Sequence, residues 1–152
     1  MAPELKFRLA TIQDAETLLL WRNDLATRRA SHNTEKVEVE SHVVWLNEVL
    51  QNPKRRLFIA EEDGVPVGTV RADFSMGVWD LSWTVAPYGR GKGVAKKMVA
   101  EIASRIKDPI RAEVKIDNLG SAKIAENAGM RVVKQVEGIL HFERTGTDSV
   151  QA

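Results

Sequence analysis

The chain has 152 residues, of which 43% are hydrophobic and 28% are charged, and its formal net charge is +1 at pH 7. These values predict one globular domain, and the small net charge gives no general case for binding nucleic acid or an anionic membrane. The chain has no cysteine, which excludes disulfides, thiolate metal ligands and cysteine nucleophiles. No apolar run is long enough to span a membrane and no signal peptide is recognisable, so we expect a soluble cytoplasmic protein without a metal site.

The first third of the chain predicts one strand and two helices. Apolar alternation indicates a strand over residues 5–9, and a helix follows that ends at the run Trp21-Arg22-Asn23-Asp24. Residues 26–34 are polar and basic, which is typical of a loop or a broken helix. Apolar residues at a period of 3.6 then predict a second helix that begins at Val39 and ends near Asn52-Pro53.

The middle of the chain predicts three strands in an antiparallel meander. A short strand over residues 57–61 is followed by Asp63-Gly64, the strongest hairpin signal in the sequence, and by a returning strand over residues 65–72. Alternating apolar residues then indicate a strand over Trp79 to Val85, which Pro87 ends.

The last part of the chain predicts two helices and three strands. An amphipathic helix runs from Val94 to about Ile106, and a half-buried strand follows over Ile110 to Ile116. A short helix covers residues 118–127, and two strands separated by Gly138 follow it. We expect a mixed α/β sheet with helices on its faces, a single domain over residues 1–144, and a polar tail over residues 145–152.

A glycine-rich basic turn joins the strand that ends at Val85 to the helix that begins at Val94. Its sequence contains neither a Walker ending nor the last glycine of a dinucleotide-binding turn. Glycines at this place allow positive φ, and the first N–H groups of a helix have no partner inside the helix. With Arg90 and Lys92 added, the turn predicts an anion-binding site.

The run Arg90-Gly91-Lys92-Gly93-Val94-Ala95 resembles the Arg/Gln-x-x-Gly-x-Gly/Ala signature of the GNAT superfamily of N-acetyltransferases. A second segment, from Asn118 to Met130, resembles the Asn-x-x-Ala/Ser … Gly-Phe segment of the same family. The resemblance implies a mixed, mostly antiparallel sheet of about six or seven strands with about four helices. It also implies that the fourth and fifth strands splay apart around the acyl-CoA arm.

The resemblance further implies acetyl-CoA as the cofactor and names the residues that hold it. In the family, backbone N–H groups of this turn, here those of Arg90, Gly91, Lys92, Gly93, Val94 and Ala95, bind the pyrophosphate. Asn118 would reach the pantetheine arm and Ser121 the sulfur region, while a backbone N–H near Val85 would stabilise the oxyanion.

Transfer to a primary amine needs a base, because a free amine is protonated at neutral pH. The candidates are Asp80, Glu113 and His42, and a base acting through ordered water is an alternative. Many relatives carry a tyrosine acid where this chain has Ala125. Ser121 or a water would then protonate the leaving thiolate, which needs little help since the pKa of a thiol lies near 8.5.

The helices before the meander contain candidate acceptor contacts, which are Trp21, Arg22, Asn23, Arg29, His42 and Trp45. These runs resemble a GNAT subgroup that acetylates nucleotide-linked amino sugars, and tryptophan rings and arginine forks suit such ligands. Similar runs occur in branches that acetylate ribosomal-protein N-termini, and the two tryptophans are equally compatible with a core role. A third possibility is an acyl-CoA sensor without catalysis. The acceptor is expected to be a small-molecule amine and the protein a monomer or homodimer.

Overall fold

A computed structural model describes residues 4–147 of the chain. Within these residues, seven strands form one sheet: β1 (Lys6–Leu9), β2 (Arg55–Glu62), β3 (Val65–Ser75), β4 (Val78–Val85), β5 (Ile110–Lys115), β6 (Arg131–Val136) and β7 (Ile139–Arg144). The same part of the chain contains five helices: α1 (Ala15–Asn23), α2 (Leu25–Ala30), α3 (Val39–Gln51), α4 (Val94–Ser104) and α5 (Leu119–Asn127). Short 3-10 turns precede α1 and follow β4, at Ile12–Asp14 and Pro87–Gly89.

The strands lie in the order β1-β2-β3-β4-β5-β7-β6, and every neighbouring pair is antiparallel except β4 and β5. The parallel pair is joined only at Trp79 with Ile110 and at Asp80 with Arg111. Beyond these positions the two strands separate, which confirms the predicted mixed sheet with splayed central strands. The separation leaves a gap whose walls are the second halves of β4 and β5.

The meander has the predicted hairpin at Asp63-Gly64, where both residues adopt positive φ, 52° and 79°. Such a turn matches the right-handed twist of the flanking strands. The third strand is longer than predicted, because β3 continues beyond Ala72 to Ser75 and keeps its register with the start of β4.

A separate apolar cluster covers each face of the sheet. One lies under α4 and α5 and includes Leu81 of β4 and Met98 of α4. The other lies under α1 and α3 and includes Leu57 of β2 and Leu46 of α3. Because side chains alternate along a strand, Asp80 and the other even-numbered residues of β4 point to the α1–α3 face.

The segment predicted as a loop or a broken helix contains α2, so there are five helices rather than about four. Asp24 caps α2, since its carboxylate accepts a hydrogen bond of 3.2 Å from the backbone N–H of Thr27. At the other end of the chain, β7 ends at Arg144 and the N–H of Thr147 donates to Lys107 over 2.8 Å. The rest of the predicted tail, residues 148–152, lies outside the described residues.

Two arginine side chains form hydrogen bonds at the end of one helix and before the start of another. The Arg144 guanidinium donates to the carbonyls of Ala103, in the last turn of α4, and of Ile106 and Asp108, just after it, at 2.9, 2.7 and 2.9 Å. Burial lowers the pKa of Arg144. Before α1, Arg8 donates two bonds of 2.8 Å to the Asp14 carboxylate, and these bonds lower the pKa of Asp14.

Within residues 4–147, no helix combines the length and the apolar character needed to cross a membrane.

Candidate active site

The turn before α4 presents unpaired backbone donors. Gly91 and Gly93 adopt φ of 79° and 78°, which L side chains rarely reach, and Gly93 is the N-cap of α4. Among residues 4–147, no group accepts a hydrogen bond from the backbone N–H groups of residues 91–96. These donors lie at the positive end of the α4 dipole. Unpaired donors are what the predicted anion site needs, and the binding of an anion there stays a prediction. The N–H of Arg90, which was predicted to contribute, instead donates to the Pro87 carbonyl at 3.4 Å.

The charged residues of the turn take different roles. The Arg90 guanidinium donates to Asp24 Oδ2 at 2.6 Å and to Thr27 Oγ1 at 3.3 Å, which fastens the turn to the junction of α1 and α2. This bond lowers the pKa of Asp24. Lys92 is exposed. The Arg90 side chain thus positions the turn, and the Lys92 side chain remains at its surface.

Backbone donors of β4 also point into the gap. The N–H of Trp79 donates towards β5, to the Pro109 carbonyl at 3.0 Å, while the N–H of Ala86 donates towards β3, to Val67 at 2.8 Å. N–H directions alternate along a strand. The N–H groups of Trp83 and Val85 therefore face the gap, as an oxyanion donor near Val85 requires.

Helix α5 begins shortly after the end of β5, the second strand that borders the gap. Asn118 caps this helix, because its Oδ1 accepts from the backbone N–H of Ser121 at 3.1 Å. Ser121 is half-buried. Ala125 is 0% exposed, so the place where many relatives have a tyrosine is filled by core packing. The carboxamide oxygen of Asn118 is thus occupied by helix capping.

A cavity of about 340 Å³ lies on the α1–α3 face of the sheet, opposite to α4 and α5, between α1, α3 and the strands. Its floor is formed by Thr69 and Arg71 of β3 and by the segment Ser82-Trp83-Thr84 of β4. This segment follows Asp80, the last residue of β4 that pairs with β5. The cavity therefore reaches the same stretch of β4 whose backbone borders the gap.

Aromatic and imidazole rings form one wall of the cavity. Trp21 is 4% exposed and belongs to the core under α1, while half-buried Trp45 packs against that core, and both line the cavity. His42 is also 4% exposed, and its Nε2 lies 3.1 Å from the Ala15 carbonyl. A carbonyl only accepts, so Nε2 is protonated and the lone pair lies on Nδ1. Burial lowers the pKa of His42, which keeps the ring neutral.

Of the residues that the structure describes, two arginines and no carboxylate line the cavity. Arg22 donates from Nη2 to the Asn33 carbonyl at 2.8 Å, and its Nη1 is buried without a hydrogen-bond partner in the part of the chain described. Burial, and after it the charges of Arg28 and Arg71, lower the pKa of Arg22. Arg71 donates to Asp73 at 2.9 Å and lies 5.6 Å from the centre of the Trp45 ring.

Two predicted acceptor contacts lie away from this cavity. Asn23 uses both groups of its amide on the backbone of Val37, with bonds of 2.9 and 2.7 Å, and so holds the segment that leads into α3. Arg29 is exposed, and its carbonyl accepts a bond of 2.8 Å from Lys115.

The three base candidates differ in position. Asp80 is paired with Arg111 at 2.9 Å at the closed end of the gap. Glu113 lies 3.1 Å from the Nε2 of His32. Neither carboxylate lines the cavity, whereas His42 does. Of the three candidates, His42 is therefore the one that lines the cavity.

Sequence reasoning missed the contribution of the strands to this cavity. Thr69 and Arg71 alternate with Val70, a fully buried residue of the opposite face. That alternation was a usable signal, because it places both side chains on the α1–α3 face together with Ser82 and Thr84.

Comparison with known proteins identifies the fold. A family model described as acetyltransferase (GNAT) domain matches residues 4–131. The structure is similar to yncA of Salmonella typhimurium with its cofactor acetyl-CoA, at a TM-score of 0.77, 16% identity and coverage of 97% and 96% of the two chains. Spermidine N-acetyltransferase of Vibrio cholerae, in complex with CoA and spermine, gives a TM-score of 0.79, 14% identity and coverage of 91% and 94%. Ribosomal-protein-alanine N-acetyltransferase of Brucella melitensis gives 0.76, 23% identity and coverage of 92% and 99%. None of the curated proteins compared with the chain matches it.

Proposed function

Because the chain belongs to the GNAT acetyltransferase family, we propose that it transfers the acetyl group of acetyl-CoA to the primary amine of a small polar acceptor. The first candidate for that acceptor is a nucleotide-linked amino sugar, which the tryptophans and arginines before the meander suit. The cofactor diphosphate lies on the N–H groups of residues 91–95, because the N–H of Arg90 donates to the Pro87 carbonyl at 3.4 Å, and the acceptor lies in the cavity under α1 and α3.

One observation carries this proposal. The cavity lies on the α1–α3 face of the sheet and the gap lies within the sheet, between β4 and β5, yet both border Ser82-Trp83-Thr84, where β4 has separated from β5. An amine held in the cavity therefore meets a thioester held in the gap at a single place. Direct transfer requires this meeting, since the two reacting atoms must approach to about 3 Å.

The residues at this place supply the remaining steps. When bound, acetyl-CoA supplies an activated acyl group with a good leaving thiol. His42 accepts the amine proton at Nδ1, directly or through a water, because Nε2 is committed to Ala15. The N–H groups of Trp83 and Val85 stabilise the negative charge that develops on the carbonyl oxygen. The new N–C bond replaces the S–C bond, and Ser121 or a water returns a proton to the thiolate.

The acceptor class is tested by thiol release from acetyl-CoA with a panel of amines. The panel contains a uridine-diphosphate amino sugar, a peptide with N-terminal alanine, and spermine. Turnover with the first compound supports the proposal. Turnover with the peptide alone supports the second candidate, a ribosomal-protein-type N-terminal acetyltransferase, to which the similarity with the Brucella enzyme adds weight.

The same panel separates catalysis from sensing. A protein that binds acetyl-CoA in calorimetry but releases no thiol with any amine would be an acyl-CoA sensor, and the buried Ala125 at the family's tyrosine position makes this comparison necessary. Thiol release that accompanies formation of an acetylated amine, identified by mass spectrometry, excludes that alternative.

A further inference from the structure

We propose that the acceptor cavity contains an anion subsite centred on Arg22, so that the preferred acceptor is an amine that also carries a phosphate or carboxylate, and polycationic amines are rejected. The inference rests on the proposed function, because it assigns a substrate class to the same cavity. Beyond that function, it assigns the selection of the acceptor to the charge of one residue, Arg22.

The Arg22 guanidinium is held in place but incompletely satisfied. Its Nη2 is fixed by the Asn33 carbonyl at 2.8 Å, while Nη1 is buried and has no partner among residues 4–147. Buried polar groups of native proteins are nearly always hydrogen-bonded, and one that is not requires an explanation. Arg22 lines the cavity, and an anionic ligand that enters the cavity compensates this charge.

The residues around Arg22 add a second positive charge, and no carboxylate of the described residues pairs with Arg22 itself. In the described part of the chain no carboxylate lies within ion-pair distance of Arg22, although several other arginines have such partners. Arg71 lies on the same cavity, and its one carboxylate, Asp73, is shared with Arg55. The second cavity arginine is therefore only partly neutralised.

The positive groups are also preorganised. Arg28 donates from Nε to the Thr34 carbonyl at 3.1 Å, next to the carbonyl of Asn33 that holds Arg22. Both guanidinium groups are thus oriented by one short stretch of backbone. Because they are held before a ligand arrives, little conformational entropy is lost when an anion binds.

The same charges disfavour cationic acceptors. The cavity has no carboxylate in its lining to receive a second ammonium group. A polyamine would place its additional charges beside Arg22 and Arg71. Like charges at short distance in a partly buried site repel strongly. Selection of the acceptor therefore works by attraction of an anion and by repulsion of a polycation.

The test compares matched amines on matched variants. The full-length protein is assayed with saturating acetyl-CoA and with glucosamine 1-phosphate, glucosamine, glutamate and spermine, and kcat and KM are measured for each. Arg22→Gln removes the charge, Arg22→Lys retains it, and Arg131→Gln, on the exposed edge strand β6, removes an equivalent charge far from the cavity. Phosphate and carboxylate are distinguished by the glucosamine 1-phosphate and glutamate arms.

For the unmodified protein we expect kcat/KM to be at least tenfold higher with glucosamine 1-phosphate or glutamate than with glucosamine, and lowest with spermine. Arg22→Gln reduces this preference for the anionic amine by about ten- to a hundredfold, mainly through KM, since a charge-assisted hydrogen bond is lost. Arg22→Lys restores part of the preference, and Arg131→Gln leaves it unchanged.

A second measurement separates ligand binding from structural damage. Glucosamine 1-phosphate raises the Tm of the unmodified protein more than that of Arg22→Gln, and the ligand-free variant melts no lower, because an unpaired buried charge has been removed. Equal kcat/KM for glucosamine and glucosamine 1-phosphate, or a preference for spermine, overturns the subsite while leaving acetyl transfer intact. Absence of transfer to every amine overturns the proposed function instead. If Arg22→Gln does not fold, the absence of a Tm rise by glucosamine 1-phosphate in the unmodified protein overturns the subsite.

Discussion

Replacement of Gly93 by aspartate should abolish most of the affinity for acetyl-CoA without unfolding the protein. Gly93 has φ of 78° and caps a helix whose first N–H groups have no acceptor among residues 4–147. Aspartate tolerates this left-handed conformation better than most residues, at a cost of about 1 kcal/mol. A carboxylate at a helix N-terminus is itself favourable by a few tenths of a kcal/mol or more. The net change in stability should therefore be small.

The loss of affinity follows from charge repulsion. A carboxylate about 5 Å from a diphosphate with about two charges, at an effective dielectric constant near 40, costs about 2 to 3 kcal/mol after screening by salt. This corresponds to a dissociation constant roughly 30- to 150-fold higher. Isothermal titration calorimetry with acetyl-CoA measures the change, and thermal melting measures the stability.

Two control variants separate backbone strain from charge. Gly93→Asn has nearly the same shape and no charge, so it should retain most of the affinity. Gly138→Asp introduces the same residue at φ of 79° in the β6–β7 turn, where an added Cβ meets nothing within 4 Å. If Gly93→Asp binds acetyl-CoA as tightly as Gly93→Asn does, the diphosphate does not lie on this turn and the assignment of the cofactor site is wrong.

Three further predictions concern residues that support the site. Arg144→Met, which removes three bonds to carbonyls in and just after the last turn of α4, should lower the free energy of unfolding in urea by about 3 kcal/mol at roughly 1 kcal/mol per bond. The control Arg105→Met, which removes only an exposed ion pair with Glu101, should change it by less than about 1 kcal/mol. Arg8 lowers the pKa of Asp14. The stability that this pair contributes is therefore complete above the ordinary aspartate pKa of about 3.9 and is lost as the pH falls through the lower pKa of the folded state. Asp14→Asn should flatten the acid limb of a curve of stability against pH, and an unchanged limb would contradict this. Because burial lowers the pKa of His42, its protonation destabilises the native state as the pH falls below about 6.5. His42→Gln should remove that dependence and reduce kcat about a hundredfold, and a variant with full kcat would show that His42 is not the base.

The sequence was most informative where local chemistry determines the structure. The glycine turn before Val94 and the hairpin at Asp63-Gly64 need positive φ, which few residues provide, so both could be located from the residues alone. The alternation of apolar and polar residues predicted β4 and β5, and the resemblance to the GNAT family predicted that these two strands separate. These features depend on neighbours in the sequence or on a short motif.

Long-range contacts limited the prediction of the site. The Arg90 side chain binds Asp24, a residue 66 positions away, so its role in fastening the turn has no local signature. In the same way, Asn23 was predicted to contact the acceptor, but its amide is occupied by Val37. The contribution of Arg71 to the cavity depends on the register between β3 and β4, which residue types do not determine alone. Side-chain chemistry identified suitable residues, and tertiary packing decided which of them remain available.

The short pairing between β4 and β5 has a mechanical consequence. Strands β1 to β4 form one sub-sheet and β5 to β7 another, and only the pairs at Trp79 and Asp80 join the two through the sheet. On its open side the junction leaves the amides of Trp83 and Val85 without a ladder partner in β5. A molecule lodged between the sub-sheets replaces the missing ladder and ties both halves together. Deuterium uptake at these two amides should slow when acetyl-CoA is added, and the two sub-sheets should then move as one body.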